Sequence, residues 1–343
     1  MATMTDVARL AGVSVMTVSR VMNRSGYVKQ STRQRVMEAA QRLNYVHRNQ
    51  HNPSPVATKT VMLIVPDITN PFFTFVARGA EDVAHKRGYR ILLANTDESF
   101  DKEREYIQMC LDYQVAGVLI VPVGDQSLTN LEYLIEYRVP FVLIDRDVDG
   151  IEMDIVKGDI QQGSKRLVEH LIQLGHRRIA AVVGPLHNSA SRERLMGYQE
   201  ALADHGIPFD DALVHEAPMT RDMNTNFIEA LVSMPNSPTA LFVANLFQYA
   251  RITHALSRLG IRVPEDMSMV SFGNTDELAS VDSKLTAAIQ PTYNFGSLGL
   301  QLLLERIEGV RKHPTKIILH SEMVLRSSTA PPHRPSLGLP DNV

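Results

Sequence analysis

The sequence has 343 residues, more than one ordinary domain holds, so we expect two or three compact units. Its composition, 44% hydrophobic and 21% charged, is that of a globular protein, and no apolar run approaches the roughly 20 residues of a membrane span. A single cysteine, Cys110, excludes an intrachain disulfide framework and a zinc site built on cysteines.

The net charge of −3 combines a basic N-terminal segment with an acidic remainder. Residues 1–59 carry nine Lys and Arg against two Asp and Glu, a net charge of +7, whereas the rest carries 26 against 36, a net charge of −10. A basic module joined to an acidic body is typical of a nucleic-acid-binding segment attached to a domain with another task. The alternative is a solvated surface with surplus arginine.

Two short helical patterns occupy residues 5–23, TDVARLAGVSVMTVSRVMN. We expect Thr5 to cap the first helix and Gly12 to end it in the left-handed conformation. Ser14 is then the cap of a second helix. The inward stripe of this helix is formed by Val18, Val21 and Met22. Two helices joined by Gly-Val-Ser predict a helix-turn-helix.

The outward residues of the second helix suit contact with DNA. They are Val15, Met16, Thr17, Ser19 and Arg20, with Asn23 closing the helix. Arginine can bind guanine through two hydrogen bonds in the major groove, and Val15 and Met16 can meet thymine methyl groups. The alternative is a purely structural helical hairpin.

The motifs of the whole chain resemble the LacI/GalR family of bacterial transcriptional regulators. After the helix-turn-helix come STRQRVMEAAQRLNY as a third helix and, in family order, VPDITNPFF, RGAEDVAHKRGY, HLIQLGHRRIAAVVGP, RERLMGYQEAL and GIRVPEDMSMVSF. The resemblance covers about residues 3–328. It implies that Val15, Met16 and Arg20 read bases. It also implies that phosphate contacts come from Thr5, Thr17, Ser19 and Asn23.

The segment between the head and the body departs from the family pattern. We predict a DNA-binding domain over 1–46, a linker with an atypical hinge over 47–59, and a disordered tail over 331–343. Family members usually have a hinge helix whose leucine wedges into the minor groove. Here Pro53-Ser54-Pro55 opposes a continuous helix, because each proline removes a donor. We therefore expect weaker DNA bending and looser coupling between head and body.

From residue 60 onward, short apolar runs alternate with amphipathic helical stretches. Such alternation predicts parallel sheets covered by helices on both faces. The expected fold is multidomain: the all-α helix-turn-helix head plus an α/β body over 60–330, made of two doubly wound, periplasmic-binding-protein-like subdomains. We place the first at about 60–159 and 292–322, and the second at about 160–291 and 323–330.

Two facing open sheets create a cleft beyond their strand ends, where we expect an effector. The rings of Phe72 and Phe73 could stack on a sugar or base face, with a place in the core as the alternative, and Arg194 matches the family arginine that reaches the effector. The further candidates are Asp145, Arg146, Asn188, Asn245 and Gly273. Gly273 stands where the family has a ligand-gripping carboxylate, and Leu246 replaces a second acid. We therefore expect an anionic effector, namely a sugar acid or a sugar phosphate. The alternatives are a neutral sugar, a nucleoside, or a body that has lost ligand binding.

No phosphate-binding loop, metalloprotease motif or nucleophile motif appears, so we predict no enzyme activity, no cofactor and no metal. The predicted function is repression of carbohydrate or sugar-acid catabolism genes. The predicted partners are a second copy of the chain, a pseudo-palindromic double-stranded DNA operator and a sugar or sugar-acid effector. With no signal peptide, we expect a cytoplasmic protein that contacts no membrane and joins the nucleoid when bound to its operator. The alternatives are a solute-binding protein without regulatory DNA binding, a sugar-processing enzyme, and a regulator that has lost effector binding.

Overall fold

The structure, a computed structural model, describes residues 3–22, 28–43, 45, 59–220, 223–273 and 284–332. The chain divides into two compact units, Met1–Ala57 and Thr58–Val343. Asn23, Pro53-Ser54-Pro55 and residues 333–343 lie outside the described residues, so the predictions for the hinge and the tail stay predictions. None of the helices in the described ranges is both long enough and apolar enough to cross a membrane.

Within residues 3–22 and 28–43, the first unit forms three helices. They are α1 (Met4–Ala11), α2 (Val15–Met22) and α3 (Gln30–Arg42). Apolar residues at helical spacing turn inward and form a small core, as amphipathic helices require. Its buried members are Val7, Ala8, Ala11, Val18, Val21, Val36, Ala39 and Ala40. Gly12 ends α1 with a φ of 63°, as predicted.

The cap of α1 is Thr3, so the expectation for Thr5 is wrong. The Thr3 side chain accepts a hydrogen bond from the backbone N–H of Asp6, and the Asp6 carboxylate accepts one from the backbone N–H of Thr3. This reciprocal capping box needs an acid three residues after the cap, which Thr3 has. Thr5 lies exposed within the first turn of the helix.

The second unit begins with a lobe built on a sheet that, within the described residues, has six strands. Its strand order is β11-β5-β4-β3-β1-β2, and every pairing is parallel. The strands are β1 (Thr60–Val65), β2 (Arg90–Asn95), β3 (Gly117–Ile120), β4 (Phe141–Ile144), β5 (Ile155–Gly158) and β11 (Lys316–Leu319). We call this lobe the N-lobe.

Helices cover both faces of the N-lobe sheet. They are α4 (Pro71–Arg87), α5 (Phe100–Asp112), α6 (Ser127–Glu136) and α11 (Thr292–Ile307). Leu63 points into the core beneath α4 and α11, whereas Met62 points into the core beneath α5 and α6. The axes of α4 and α11 approach closely at Gly296, where an added Cβ would lie 1.8 Å from the carbonyl oxygen of Val76. Only glycine fits such a backbone contact.

The C-lobe repeats this plan around a second sheet, six-stranded in the described ranges and ordered β12-β10-β9-β8-β6-β7. Its strands are β6 (Ile179–Val183), β7 (Val214–Glu216), β8 (Ala240–Val243), β9 (Ser268–Phe272), β10 (Thr286–Ile289) and β12 (Glu322–Val324). Its helices are α7 (Ile160–Gln173), α8 (Ser189–Asp204), α9 (Asn226–Val232) and α10 (Leu246–Arg258). Only β12 pairs antiparallel among the strands described. Two doubly wound, mostly parallel sheets are the predicted fold class.

The chain passes between the lobes after β5, after β10 and after β11. Asp159 ties two of these crossings together. Its carboxylate accepts hydrogen bonds from the backbone N–H of Ser321 at 2.8 Å and from the Ser321 hydroxyl at 2.7 Å, and it pairs with Arg166 at 3.0 Å. These contacts hold the connecting segments side by side at the boundary between the two lobes.

Tyr198 on α8 gives a test of C-lobe packing. Its buried hydroxyl donates to the carbonyl oxygen of Ile179 at 2.8 Å, and burial raises the pKa of the phenol. Tyr198→Phe leaves a buried carbonyl without its donor, so we expect the free energy of unfolding to fall by about 1 kcal/mol in urea titrations. Tyr113→Phe, at a side chain that is 66% exposed, is the matched control and should change it by less than about 0.5 kcal/mol. Equal stabilities for the two variants would contradict the role of this hydrogen bond.

Candidate functional site

The exposed face of α2 carries the residues predicted to read bases. Ser14 caps the helix by accepting the backbone N–H of Thr17 at 3.1 Å, which places Val15 and Met16 in its first turn. Val15 is 42% exposed and Met16 is 65% exposed, although both are apolar. Arg20 lies one turn after Met16 and is exposed on the same face. An apolar pair beside an arginine on one exposed helix face is the surface that a major groove can cover.

The residues predicted to contact phosphate are less uniform. Thr5 is exposed on α1, whereas Thr17 and Ser19 are partly buried on α2. The Thr17 hydroxyl lies 2.9 Å from the Ser14 hydroxyl, so it takes part in the helix cap. Asn23 lies outside the described residues. The DNA contacts of all four residues stay predictions.

The effector site predicted from the sequence corresponds to a cleft between the N-lobe and the C-lobe. It encloses about 840 Å³, including open solvent at its mouth. Seven of the eight predicted residues line it: Phe72, Phe73, Asp145, Arg146, Arg194, Asn245 and Gly273. They come from loops and helix starts after strands in both lobes, as expected for open parallel sheets.

Asn188 is the predicted residue that does not line the cleft. It is 1% exposed and caps α8, where its side-chain oxygen accepts the backbone N–H of Ser191 at 2.9 Å. An asparagine that opens a helix has its oxygen committed to the orphan N–H groups of the first turn. Its effect on the cleft is therefore to orient α8, which carries Arg194.

Arg146 is neutralised within the N-lobe. Its guanidinium forms two hydrogen bonds of 2.7 Å to the carboxylate of Glu98, and it also donates to the carbonyl oxygens of Pro122 and Val123 at 3.1 Å. The Arg146 side chain is 3% exposed. This bidentate pair balances the charge of Arg146 locally, although its buried Nε has no hydrogen-bond partner among the described residues. Because of the pairing with Glu98, Arg146 attracts an anion less than an unpaired guanidinium would.

Arg194 is the other guanidinium in the cleft, and it makes no ion pair within 4.0 Å with the residues that the structure describes. It is 5% exposed, lies 5.1 Å from the centre of the Phe272 ring and donates to the carbonyl oxygen of Ala190 at 3.2 Å. Its Nε has no hydrogen-bond partner among the residues that the structure describes. Burial lowers the pKa of Arg194, and the nearby charge of Asp145 opposes that shift. A buried guanidinium with unused donors can receive oxygen atoms of a ligand.

Asp145 supplies an acceptor in the same cleft. It follows β4 with a φ of 65°, and the residue is 6% exposed. Burial raises the pKa of Asp145, whereas the nearby cations Arg194, Arg146 and Lys157 lower it. Because Asp145 lines the cleft, its oxygen atoms can accept hydrogen bonds from a ligand that brings hydroxyl or amino groups.

The two aromatic candidates have different surroundings. Phe73 is 5% exposed and belongs to the core beneath α4, whereas Phe72 is only partly buried. Phe72 packs edge-on against Phe73 and Phe295, at ring-centre distances of 5.1 and 5.2 Å. Phe72 is consequently the ring with surface available to a ligand, while Phe73 supports it from the core.

Several lining residues were not identified from the sequence. They are Asp67, Asn70, Glu98, Met219, Thr220, Gln290 and Thr292, and further members are Pro71, Ala190, Ala244 and Phe272. Glu98 follows β2, and the general placement of ligands beyond the carboxyl ends of parallel strands could have identified it. Gln290 could not be found in this way, because β10 is a short strand without a strong apolar run.

Beside the cleft, the first turn of α8 is joined to the N-lobe by a set of contacts that we call the clasp. Arg192 forms two hydrogen bonds to the carboxylate of Asp125, at 2.7 and 2.9 Å. Buried Lys157 pairs with Asp147 at 2.8 Å and with Glu193. The Arg192–Asp125 and Lys157–Glu193 contacts cross the boundary between the lobes and would break if the lobes moved apart, whereas Asp147 holds Lys157 from within the N-lobe.

The clasp predicts a coupling between charge and lobe closure. The side chains of Arg192 and Asp125 are 29% and 47% exposed, so their interaction should contribute only about 0.2–1 kcal/mol. Arg192→Ala and Asp125→Ala should each increase the radius of gyration measured by X-ray scattering, and the pair should show this coupling energy in a double-mutant cycle of thermal stability. Arg258→Ala, at an exposed site on α10, is the control. Strictly additive effects of the two clasp variants would argue against a closing role.

A helix-turn-helix head joined to a two-lobed body with a cleft is the architecture of a class of DNA-binding transcription regulators. Residues 3–49 match the family described as bacterial regulatory proteins, lacI family, and residues 168–329 match the periplasmic binding protein-like domain. The chain belongs to the lacI family and is a DNA-binding transcriptional repressor with an effector-binding domain.

Individual relatives agree with this assignment over almost the whole chain. The HTH-type transcriptional repressor PurR of Aliivibrio salmonicida is 32% identical over 338 residues, covering 96% of this chain and 99% of the relative. The structure of the transcriptional regulator CelR-cellobiose complex has a TM-score of 0.72 and 30% identity, covering 96% of this chain and all of that one. A LacI family regulator from Enterococcus faecium with bound ribose has a TM-score of 0.70 and 28% identity, covering 80% of this chain and all of that one.

Proposed function

We propose that this repressor binds a pseudo-palindromic operator as a homodimer and that a carbohydrate effector in the interlobe cleft changes its affinity for that operator. The observation that carries the proposal is Arg194, a buried guanidinium with unused hydrogen-bond donors in a cleft that also contains the buried carboxylate of Asp145. A molecule with several hydroxyl groups can accept from Arg194 and donate to Asp145 at once. Homodimerisation follows from the two-fold symmetry of such operators, which two identical heads match.

The charges of the cleft favour a neutral effector over the anion expected from the sequence. Its described lining contains three acids, Asp67, Glu98 and Asp145, against two bases, Arg146 and Arg194. Glu98 already holds Arg146 in a bidentate pair, so Arg194 is the guanidinium left for the effector. An anion would meet more negative than positive groups in a site of low dielectric, where repulsion is weakly screened. The bound cellobiose and ribose of two similar structures, both neutral sugars, support this choice.

The proposal is tested with the full-length protein and an operator selected from random duplexes. Fluorescence anisotropy would report operator binding at near-physiological salt while neutral sugars and the corresponding sugar acids are added. We expect at least one neutral sugar to change the operator affinity and its acid to do so at least about tenfold less effectively. A response to the acids alone would overturn the neutral class. Failure to select any duplex above non-specific binding would overturn the regulatory function and favour the solute-binding alternative.

A further inference from the structure

We propose that the effector is amphipathic, with an uncharged polar part against the N-lobe and an apolar, aromatic-sized group against Leu246 on the C-lobe. This inference rests on the proposed function, because it concerns the chemistry of the same effector. It assigns Leu246 and Gly273 as the pair that determines specificity at the C-lobe wall of the cleft.

The charged groups of the cleft are distributed unequally between the lobes. Among the described lining residues, the N-lobe contributes four charged side chains: Asp67, Glu98, Asp145 and Arg146. The C-lobe contributes one, Arg194, which covers the Phe272 ring. The N-lobe wall can therefore exchange several hydrogen bonds with a ligand, while most of the C-lobe wall cannot.

The C-lobe wall is mostly apolar in its described part. Its apolar members are Ala190, Met219, Ala244, Leu246, Phe272 and Gly273. Of its polar members, Asn245 is engaged elsewhere, because its oxygen accepts the backbone N–H of Gln248 at 2.9 Å and its amide donates to the carbonyl oxygen of Met219 at 3.1 Å. Gln290, which follows β10, has an amide Nε2 without a hydrogen-bond partner among the described residues. The hydroxyl of Thr220 adds one small polar group beside Met219.

Leu246 packs so closely against Gly273 that a larger side chain at position 273 would collide with it. A Cβ added at Gly273 would lie 2.5 Å from Cγ of Leu246, and Gly273 has a φ of 130° that side-chain-bearing residues rarely adopt. The two departures from the family pattern are thus neighbours: the leucine fills the space that a side chain at position 273 would enter. Together they leave this corner of the cleft without a carboxylate and line it with the hydrocarbon of Leu246.

A hydrocarbon wall stabilises only a ligand that brings apolar surface to it. Leu246 and Met219 are both partly exposed, so they present that surface to the cleft. Methionine is well suited to the edge of an aromatic ring. A phenyl group attached to a sugar therefore matches the wall better than a hydroxyl group does.

The experiment compares matched glycosides in isothermal titration calorimetry with the full-length protein. The probes are the methyl and phenyl glycosides of glucose, galactose, mannose and xylose. We expect at least one phenyl glycoside to bind about tenfold more tightly than its methyl partner. Leu246→Asp should reduce that preference to roughly twofold or less, because a carboxylate faces the ring instead of hydrocarbon.

Leu259→Asp makes the same change just after the end of α10, at a leucine that is 41% exposed, and should keep the preference. An aspartate at position 246 lies in the first turn of a helix, where negative charge is favourable, so we expect the variant to fold. Equal binding of methyl and phenyl glycosides, or a preference that survives Leu246→Asp, would overturn the assignment. Absence of binding by every phenyl glycoside would also overturn it while leaving the repressor function, tested through the operator, in place.

Discussion

Replacing Arg194 by alanine should abolish the response of operator binding to the effector while operator binding itself persists. The guanidinium is buried, lies over Phe272 and keeps donors that no described residue uses. Removing a buried, charged hydrogen-bond donor from a ligand site costs about 2–5 kcal/mol, which is roughly thirtyfold to a few thousandfold in affinity. Calorimetry with the active sugar measures the loss directly, and anisotropy with the operator measures whether the response disappears.

Two further variants separate the role of Arg194 from its effect on packing. Arg194→Lys keeps a positive charge but loses the planar fork, so it should retain only part of the affinity. Arg258→Ala removes an exposed arginine from the same lobe and should bind the effector like the unmodified protein. If Arg194→Ala, folded by circular dichroism, still responded at the same sugar concentration, Arg194 would not contact the effector.

Replacing Arg20 by alanine should relax operator choice. Arg20 is exposed on the same face of α2 as Met16, where a guanidinium can bind one guanine through two hydrogen bonds. Loss of that pairing should remove about 1–3 kcal/mol of discrimination between the operator and an operator changed at that one base pair. Competition binding of the two duplexes, at one fixed salt concentration, measures this difference.

Arg20→Lys distinguishes base reading from attraction to phosphate. Lysine keeps the positive charge, so binding to scrambled duplex and its dependence on salt should change little. It lacks the planar fork, so discrimination at the contacted base pair should still fall. A lysine variant with full discrimination would show that Arg20 acts through charge alone.

Much of the fold could be predicted because its signals are local. The Gly12 turn, the Ser14 cap and the inward valines of α2 each depend on neighbours within four residues. The apolar runs that became β1, β3, β4, β6 and β8 consist almost wholly of apolar residues and are buried on both faces, so composition suffices to identify them. Thr5 shows the limit, because Thr3 forms the better cap only through its contact with Asp6.

The short strands β5, β7, β10, β11 and β12 did not stand out in the sequence. Lys316–Leu319, for example, is a partly exposed strand whose pairing with Ile155–Gly158 joins segments more than 150 residues apart. No local pattern encodes such a contact, since the pairing partner decides whether a short segment becomes a strand. Gln290, which follows β10 into the cleft, was missed for the same reason.

The sequence by itself determined the family, the helix-turn-helix and seven residues that line the cleft, because these depend on local spacing and on motifs kept in order. Only the tertiary structure decided how those residues are used. It paired Arg146 with Glu98, left Arg194 without an ion pair among the described residues, and placed Leu246 in the space beside Gly273. The charge and shape of the cleft depend on residues from distant segments of the chain. The effect of its two arginines and three acids on a ligand is set by the distances between them, which only the tertiary structure fixes.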